Sequence, residues 1–253
     1  MYAVSGGAPL SKEIAQFFHS AGILILEGYG LTETTAAINC NSPSHYAFGT
    51  VGLKVKGVHE KLAEDGEILV KGPMVFQGYY KNPEATREVL SSDGWFKTGD
   101  IGEFDSKGYL KITDRKKDLI ITAGGKNIAP QNIENQLKTI PVISQAVIIG
   151  DRRKYLSALL TLTKDVLEDW AQKSGLQVTG YDELVKHPTT RHWLHQILEE
   201  KNKTLPSYES IKRFAILPQD FSQETGELTP TLKVKRKFVN EKYKDIIENL
   251  YRD

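Results

Sequence analysis

DRKKDLIITAGGKNIAP, residues Asp114 to Pro130, divides the chain into two kinds of sequence. It opens on a charged cluster, Asp114, Arg115, Lys116, Lys117 and Asp118, and continues in a strand-like apolar run, Leu119 to Ile121. Gly124 and Gly125 follow, then Lys126, and Pro130 marks a helix start because its fixed φ suits the first helical position. Turn-rich β-patterned sequence precedes this stretch, and long helical patterns follow it. Such a junction can be a domain boundary, a ligand site, or both. We read it as both, a swivel between two lobes that also carries a ligand loop.

Working back from the junction, glycines at 52, 57, 66, 72, 78, 94, 99, 102 and 108 cut the sequence into short pieces. Glu67 to Val70, Gly102 to Phe104 and Tyr109 to Ile112 read as strands, and Asp65-Gly66 fits a hairpin turn. One helix interrupts them from Pro83 to Leu90, with Asn82 as its cap. Further back, Met1 to Val4 reads as a strand end and Ser11 caps a helix from Lys12 to about Ala21. Ile23 to Leu26 is a continuous apolar run, as in a strand covered on both faces. Strand, glycine loop, helix and strand in that order make an open α/β pattern, and such sheets bind ligands beyond their strand ends.

Forward of the junction the spacing predicts a helix over Pro130–Leu137 and strands over Val142–Ile149 and Leu156–Leu162. Helices over Lys164–Ser174, Tyr181–Lys186 and Thr189–Lys203 come next, then a strand over Ile211–Leu217 and a helical pattern from Lys235 to Leu250. The expected fold class is therefore α/β plus α+β. Residues 1–50 form the end of an α/β domain, 51–115 a small β-barrel-like subdomain, and 116–253 a compact α+β domain.

Composition narrows the function. The 33 basic residues nearly cancel the 32 acidic ones, so overall charge implies no nucleic-acid partner. A single cysteine, Cys40, excludes an internal disulfide and fits a reducing, cytoplasmic setting. No apolar run approaches the roughly 20 residues needed to span a bilayer. The abrupt start in a strand suggests an N-terminal truncation.

Several stretches can carry chemistry. In Gly28-Tyr29-Gly30-Leu31-Thr32-Glu33 a tyrosine can stack on a base, a hydroxyl can bond phosphate, and a carboxylate can hold Mg²⁺. The same residues also suit a plain helix-entry loop. Gly6-Gly7-Ala8-Pro9 can admit a ligand to bare backbone or serve as a simple turn. Asp100, behind Trp95-Phe96, can accept from both ribose hydroxyls or sit in a turn. Gly124-Gly125-Lys126 lacks the spacing of a phosphate loop. The loop Gly226–Lys237 holds four cations, and a lysine there suits a phosphate-centred transition state or merely begins a basic helix.

In their order, SGGAPL, GYGLTET, GEILVKGPMVFQGYY, WFKTGDIG, DRKKDLIITAGGKNIAP and TPTLKVKR resemble the acyl-adenylate-forming superfamily, and within it the long-chain fatty-acid–CoA ligases. The resemblance implies ATP, Mg²⁺ and CoA as cofactors or co-substrates and a fatty acid as substrate. Peripheral membrane contact is compatible with such a substrate. It further implies that Gly6, Gly7, Ala8 and Pro9 line the adenine side and that Tyr29, flanked by Gly28 and Gly30, stacks on adenine. Thr32 would contact phosphate, Glu33 would bind the metal, and Asp100 with Arg115 would hold the ribose. Lys117 matches the swivel position, and Gly124, with Gly125 and Lys126, the CoA-side loop. Lys233 matches the adenylation lysine, with Lys235 as a rival because TLK replaces the family's SGK. The family's upstream phosphate loop is absent from this sequence, which implies the C-terminal part of a longer enzyme, inactive alone. Loading of a carrier protein and a non-catalytic nucleotide-binding module are the alternative readings.

Overall fold

The computed structural model describes residues 2–178 and 180–252, so Met1 of the first expected strand lies outside the described residues. The chain forms two compact units, residues Met1–Lys117 and Asp118–Asp253. Each is described by itself.

The first unit begins with β1 (Tyr2–Gly6), α1 (Lys12–Ser20) and β2 (Leu24–Gly30). Ser11 caps α1 by accepting from the Ile14 amide, as its sequence position requires. Ala15 is the buried residue of this helix, while Ile14, Phe17 and Phe18 stay exposed. β1 and β2 pair in parallel, which fits the continuous apolar run. β3 (Ala37–Cys40) and β4 (Leu53–Lys54) then add antiparallel strands to the same sheet, in the order β1-β2-β3-β4. A second sheet follows the order β5 (His59–Leu62), β6 (Glu67–Lys71), β7 (Phe96–Phe104) and β8 (Leu110–Arg115), all antiparallel. Gly66, at φ +82°, closes the β5–β6 hairpin. α2 (Pro83–Val89) lies between β6 and β7 and is capped by Asn82 Oδ1 on the Ala85 amide. Ile38, Ile68, Val70 and Leu110 form the fully buried centre of this unit.

The second unit opens with β9 (Ile120–Ile121) and β10 (Asn127–Ile128), a two-stranded antiparallel ribbon. After α3 (Pro130–Lys138) come β11 (Ile143–Ile149) and β12 (Leu156–Leu162). α4 (Lys164–Lys173), α5 (Tyr181–Lys186) and α6 (Pro188–Asn202) lead to β13 (Ile211–Ile216). The sheet order is β11-β12-β13, with β12 central. Its even-numbered residues Ala158, Leu160 and Leu162 join a core with Leu137, Leu167, Leu194 and Leu198. The odd-numbered Leu159 joins Val147, Val239 and Ile247 on the other side. A side-chain period of two, buried on both faces, is why LSALLTL carries no charged residue.

The helical pattern from Lys235 to Leu250 forms two helices, α7 (Arg236–Lys242) and α8 (Lys244–Leu250). Tyr243, at φ −104° and ψ 22°, leaves helical geometry between them. This places its hydroxyl 2.8 Å from Glu227 Oε1. Among the described residues no helix is long and apolar enough to cross a membrane.

Candidate functional site

The first unit gathers two of the expected site residues around the carboxylate of a third. β7 alternates buried Phe96, exposed Lys97 and buried Thr98, and then its register against β6 shifts. Gly99 sits at the shift with φ +71° and donates its amide to Glu67 Oε1 at 3.0 Å. Phe96, Thr98 and Asp100 keep the period of two on the buried side of β7, and Asp100 is 3% exposed. β8 supplies its first partner by cross-strand register, Asp100 opposite Arg115. Arg115 Nε lies 2.9 Å from Asp100 Oδ1. β2 supplies the second, because the Tyr29 hydroxyl donates to Asp100 Oδ2 at 2.6 Å. Burial first, and then the charge and hydrogen bond of Asp100, push the Tyr29 hydroxyl well above the ordinary tyrosine range. Tyr29 is thus neutral, a donor to a carboxylate that Arg115 balances.

The turn after β2 is one 3-10 turn, Thr32–Thr34, with no helix behind it, so the helix-entry reading of this segment is not what the chain adopts. Thr34 stitches it together by accepting from the Leu31 amide and donating to carbonyls of the same turn. A strap from Met74 to Tyr79 holds it from outside. Phe76 donates its amide to the Glu33 carbonyl at 2.8 Å, and Thr35 Oγ1 donates to the Met74 carbonyl at 2.8 Å. The Tyr79 hydroxyl donates to Glu33 Oε1 at 2.9 Å. The other carboxylate oxygen of Glu33 has no hydrogen bond among the described residues. Thr32 is exposed beside it. Gly30 is demanded by packing here, since a Cβ would stand 2.2 Å from the Ala36 carbonyl oxygen.

Gly6, Gly7, Ala8 and Pro9 form the exposed exit of β1. Gly6 pairs with Gly28, and Gly7 has φ +79°. The loop is tied to β2 where the Leu10 amide donates to Glu27 Oε1 at 3.2 Å. Glu27 is buried, and loss of hydration pushes its carboxyl up to about 7 despite that hydrogen bond. Glu27, Tyr79 and the strap were not singled out from sequence. A lone glutamate before a glycine gives no local signal of burial.

Lys117 is exposed in a 3-10 turn, Lys116–Asp118, and is the last residue of the first unit. Its neighbour Lys116 is anchored to Asp65 at 2.6 Å and Glu67 at 2.8 Å.

In the second unit Gly124, Gly125 and Lys126 form the exposed tip of the β9–β10 ribbon. Thr122 shapes the tip, since its side chain accepts from the Lys126 amide and its carbonyl accepts from the Gly125 amide. Lys233 lies on a second tight turn. Its amide donates to Thr229 Oγ1 and its carbonyl accepts from the Thr229 amide, with Leu232 at φ +59°. Two buried carboxylates clamp the feet of that turn. Glu227 is 1% exposed and accepts from Lys242 Nζ at 2.6 Å, from Tyr243 and from Thr225. Burial opposes ionisation, but Lys242, Thr225 and Tyr243 outweigh it and hold this carboxyl at about 2. Arg236 forms a bidentate pair with Glu134, at 2.8 and 2.9 Å, and donates to the Ile148 carbonyl. Lys235 stands at the N-cap position of α7 and gives its amide to the Glu227 carbonyl, and the side chains of both Lys233 and Lys235 are exposed.

The chain is 45% identical over 250 residues to the long-chain-fatty-acid–CoA ligase FadD15 of Mycobacterium bovis, covering 98% of this chain and 42% of that protein. It is 38% identical to the long-chain-fatty-acid–CoA ligase ACSBG1 of Rattus norvegicus, covering 98% of this chain and 38% of that protein. The chain therefore spans less than half the length of these relatives. The adenylation domain of a carboxylate reductase from Mycobacterium chelonae superposes with a TM-score of 0.80 at 29% identity, over 99% of this chain and 38% of that one. The o-succinylbenzoate CoA synthetase of Bacillus subtilis, solved with its acyl-adenylate, gives 0.73 at 25% identity, over 93% of this chain and 45% of that one. Family models match at residues 1–80, AMP-binding enzyme, and at residues 117–253, AMP-binding enzyme C-terminal domain. The chain belongs to the AMP-binding enzyme family.

Proposed function

We propose that the full-length protein activates long-chain fatty acids with ATP, forming an acyl-adenylate and pyrophosphate and then acyl-CoA and AMP. The observation that carries this reading is the convergence of Tyr29 and Arg115 on the buried carboxylate of Asp100, the three coming from separate motifs. A carboxylate fixed by Tyr29 on one oxygen and Arg115 on the other suits the paired hydroxyls of a ribose. The ring of Tyr29, 8% exposed and packed in the core of this unit, is fixed beside that carboxylate by its hydroxyl. Gly6, Gly7, Ala8 and Pro9 present bare backbone at the exit of the neighbouring strand.

Glu33 and Thr32 complete the phosphate side. Among the described residues no three carboxylate, histidine or cysteine side chains gather to cage a metal. Mg²⁺ rarely needs such a cage, because it takes one or two carboxylates and fills its shell with phosphate oxygens and water. The unshared oxygen of Glu33 fits that use. A bound Mg²⁺ would supply charge neutralisation at the phosphates. Thr32 donates to a phosphate oxygen, and Lys233 steadies the charge that develops as the fatty carboxylate attacks the α-phosphorus.

The unit boundary at Lys117 and Asp118 supports a swivel there. In the first half-reaction the C-terminal unit presents Lys233, and in the second it presents the Gly124 loop to admit CoA. The test is a half-reaction split. Lys233→Ala abolishes fatty-acid-dependent ATP–pyrophosphate exchange but spares thioester formation from preformed acyl-AMP. Equal loss of both contradicts the assignment. Lys117→Pro slows the second half-reaction more than the first, and a carrier protein that outperforms CoA as acceptor would redirect the acyl group.

A further inference from the structure

The near-balance of charge in the sequence conceals a segregated face on the second sheet of the first unit. Cross-strand partners share a face, so the register of β5, β6 and β7 places particular side chains side by side. His59 lies opposite Lys71, Lys61 opposite Leu69, and Leu69 opposite Lys97. Trp95, two residues before Lys97, joins them, with Lys61 Nζ 4.3 Å from its ring centroid. Lys54 lines the same recess as His59, Glu60, Lys71 and Trp95. Lys54, Lys61, Lys71 and Lys97 are exposed, and none has an ion pair among the described residues. Glu60 is the one acid lining the recess. Asp93 feels Lys61 and Lys71 but is hydrogen-bonded to Ser91. Asp65 and Glu67, on the same hairpin, are taken up by Lys116. At the rim, Val55 is 41% exposed between Lys54 and Lys56.

We propose that this face docks the protein on an anionic bilayer. Charge complementarity decides the sign of the partner, and the residue types decide its kind. Lysine offers a mobile point charge, suited to a diffuse field, whereas geometric recognition of a defined phosphate favours the arginine fork. All the cations of this face are lysine or histidine. A half-buried indole beside lysines, with an aliphatic tip at the rim, matches the headgroup region, where one end of a side chain is apolar and the other wet. The face lies outside the proposed catalytic residues, and its function is read without turnover.

Each lysine near an anionic membrane surface raises partitioning by about fivefold. The experiment is flotation of the purified protein with vesicles of phosphatidylcholine alone, or of phosphatidylcholine with one-quarter phosphatidylglycerol, at low and high salt. Binding is expected to the anionic vesicles at low salt, with release at high salt. The triple variant Lys61→Gln, Lys71→Gln, Lys97→Gln weakens it by roughly a hundredfold. The control triple Lys138→Gln, Lys186→Gln, Lys212→Gln, also exposed, leaves it nearly unchanged. Far-ultraviolet circular dichroism confirms that both variants fold. Equal binding to neutral vesicles, no binding to anionic ones, or equal loss in both triples overturns the proposal. Lysine-dependent binding of duplex DNA without vesicle binding overturns it in favour of a nucleic acid.

Discussion

Glu27 in the first unit and Glu227 in the second are both buried, 8% and 1% exposed, yet burial has opposite outcomes for them. Glu27 has one backbone amide for company, and its carboxyl rises to about 7. Glu227 has an ammonium and two hydroxyls, and its carboxyl falls to about 2. Desolvation penalises both charges, and only the second is repaid by partners. The difference maps onto what each loop does in the proposed reaction. The β1 exit beside Glu27 is held by one hydrogen bond and can yield to a nucleotide. The Lys233 turn is clamped at both feet, so its lysine arrives in a fixed pose and movement falls to the unit as a whole.

The largest test of that contrast is to break a clamp. Arg236→Met strips the buried Glu134 of its cation, which costs about 3–4 kcal/mol, while Arg236→Met with Glu134→Leu recovers most of it. Urea unfolding followed by near-ultraviolet circular dichroism reads this directly. The stacked Trp170–Trp193 pair, ring centroids 4.0 Å apart, lies in the second unit and reports it selectively. Equal stability of Arg236→Met and the wild type would remove the clamp from the account.

The two glutamates themselves predict opposite pH slopes. The folded-state carboxyl of Glu27 lies above the ordinary value of 4.5, so the folded state holds its proton more tightly. Stability of the first unit therefore falls as pH rises from about 4.5 to 7, by up to about 3 kcal/mol. Glu27→Gln removes this slope and is more stable than the wild type at pH 8. Glu227 lies below its ordinary value, so its contribution is present above about 4.5 and is lost as pH falls towards 2. Discounted for its half-exposed partner Lys242, that loss is about 2 kcal/mol, and Glu227→Gln flattens it. Parallel slopes in the two units would break the comparison. The smallest expected effect is Tyr79→Phe, which removes the hydrogen bond to Glu33 at an exposed position and costs under about 1 kcal/mol in urea titration.

Much of this was legible in the residues. Ser11 and Asn82 announce their helices because a side-chain oxygen before a first turn satisfies an otherwise orphaned amide. The uncharged run of β12 announces a strand covered on both faces. β3, β4 and β5 escaped notice because two to four residues carry too little period to be seen. The break at Tyr243 was hidden because Val239, Tyr243 and Ile247 keep helical spacing straight through it. Only the buried Glu227, sixteen residues away, explains why the backbone turns there. At the candidate site, sequence order named Tyr29, Asp100 and Arg115, but not that one carboxylate joins them. Glu27 and the Tyr79 strap depend on contacts 17 and 46 residues apart, which no local pattern encodes.

The account rests on Asp100 as the anchor for a bound adenylate, and AMP binding tests it without any turnover. Calorimetric titration of AMP into the full-length protein and its Asp100→Asn variant is the measurement, because the amide keeps the shape of the side chain but not its charge. Two charge-assisted hydrogen bonds to a ribose are worth about 1.5–3 kcal/mol each, so a weakening of at least about tenfold is predicted. Equal affinity for AMP in the two proteins would contradict the account.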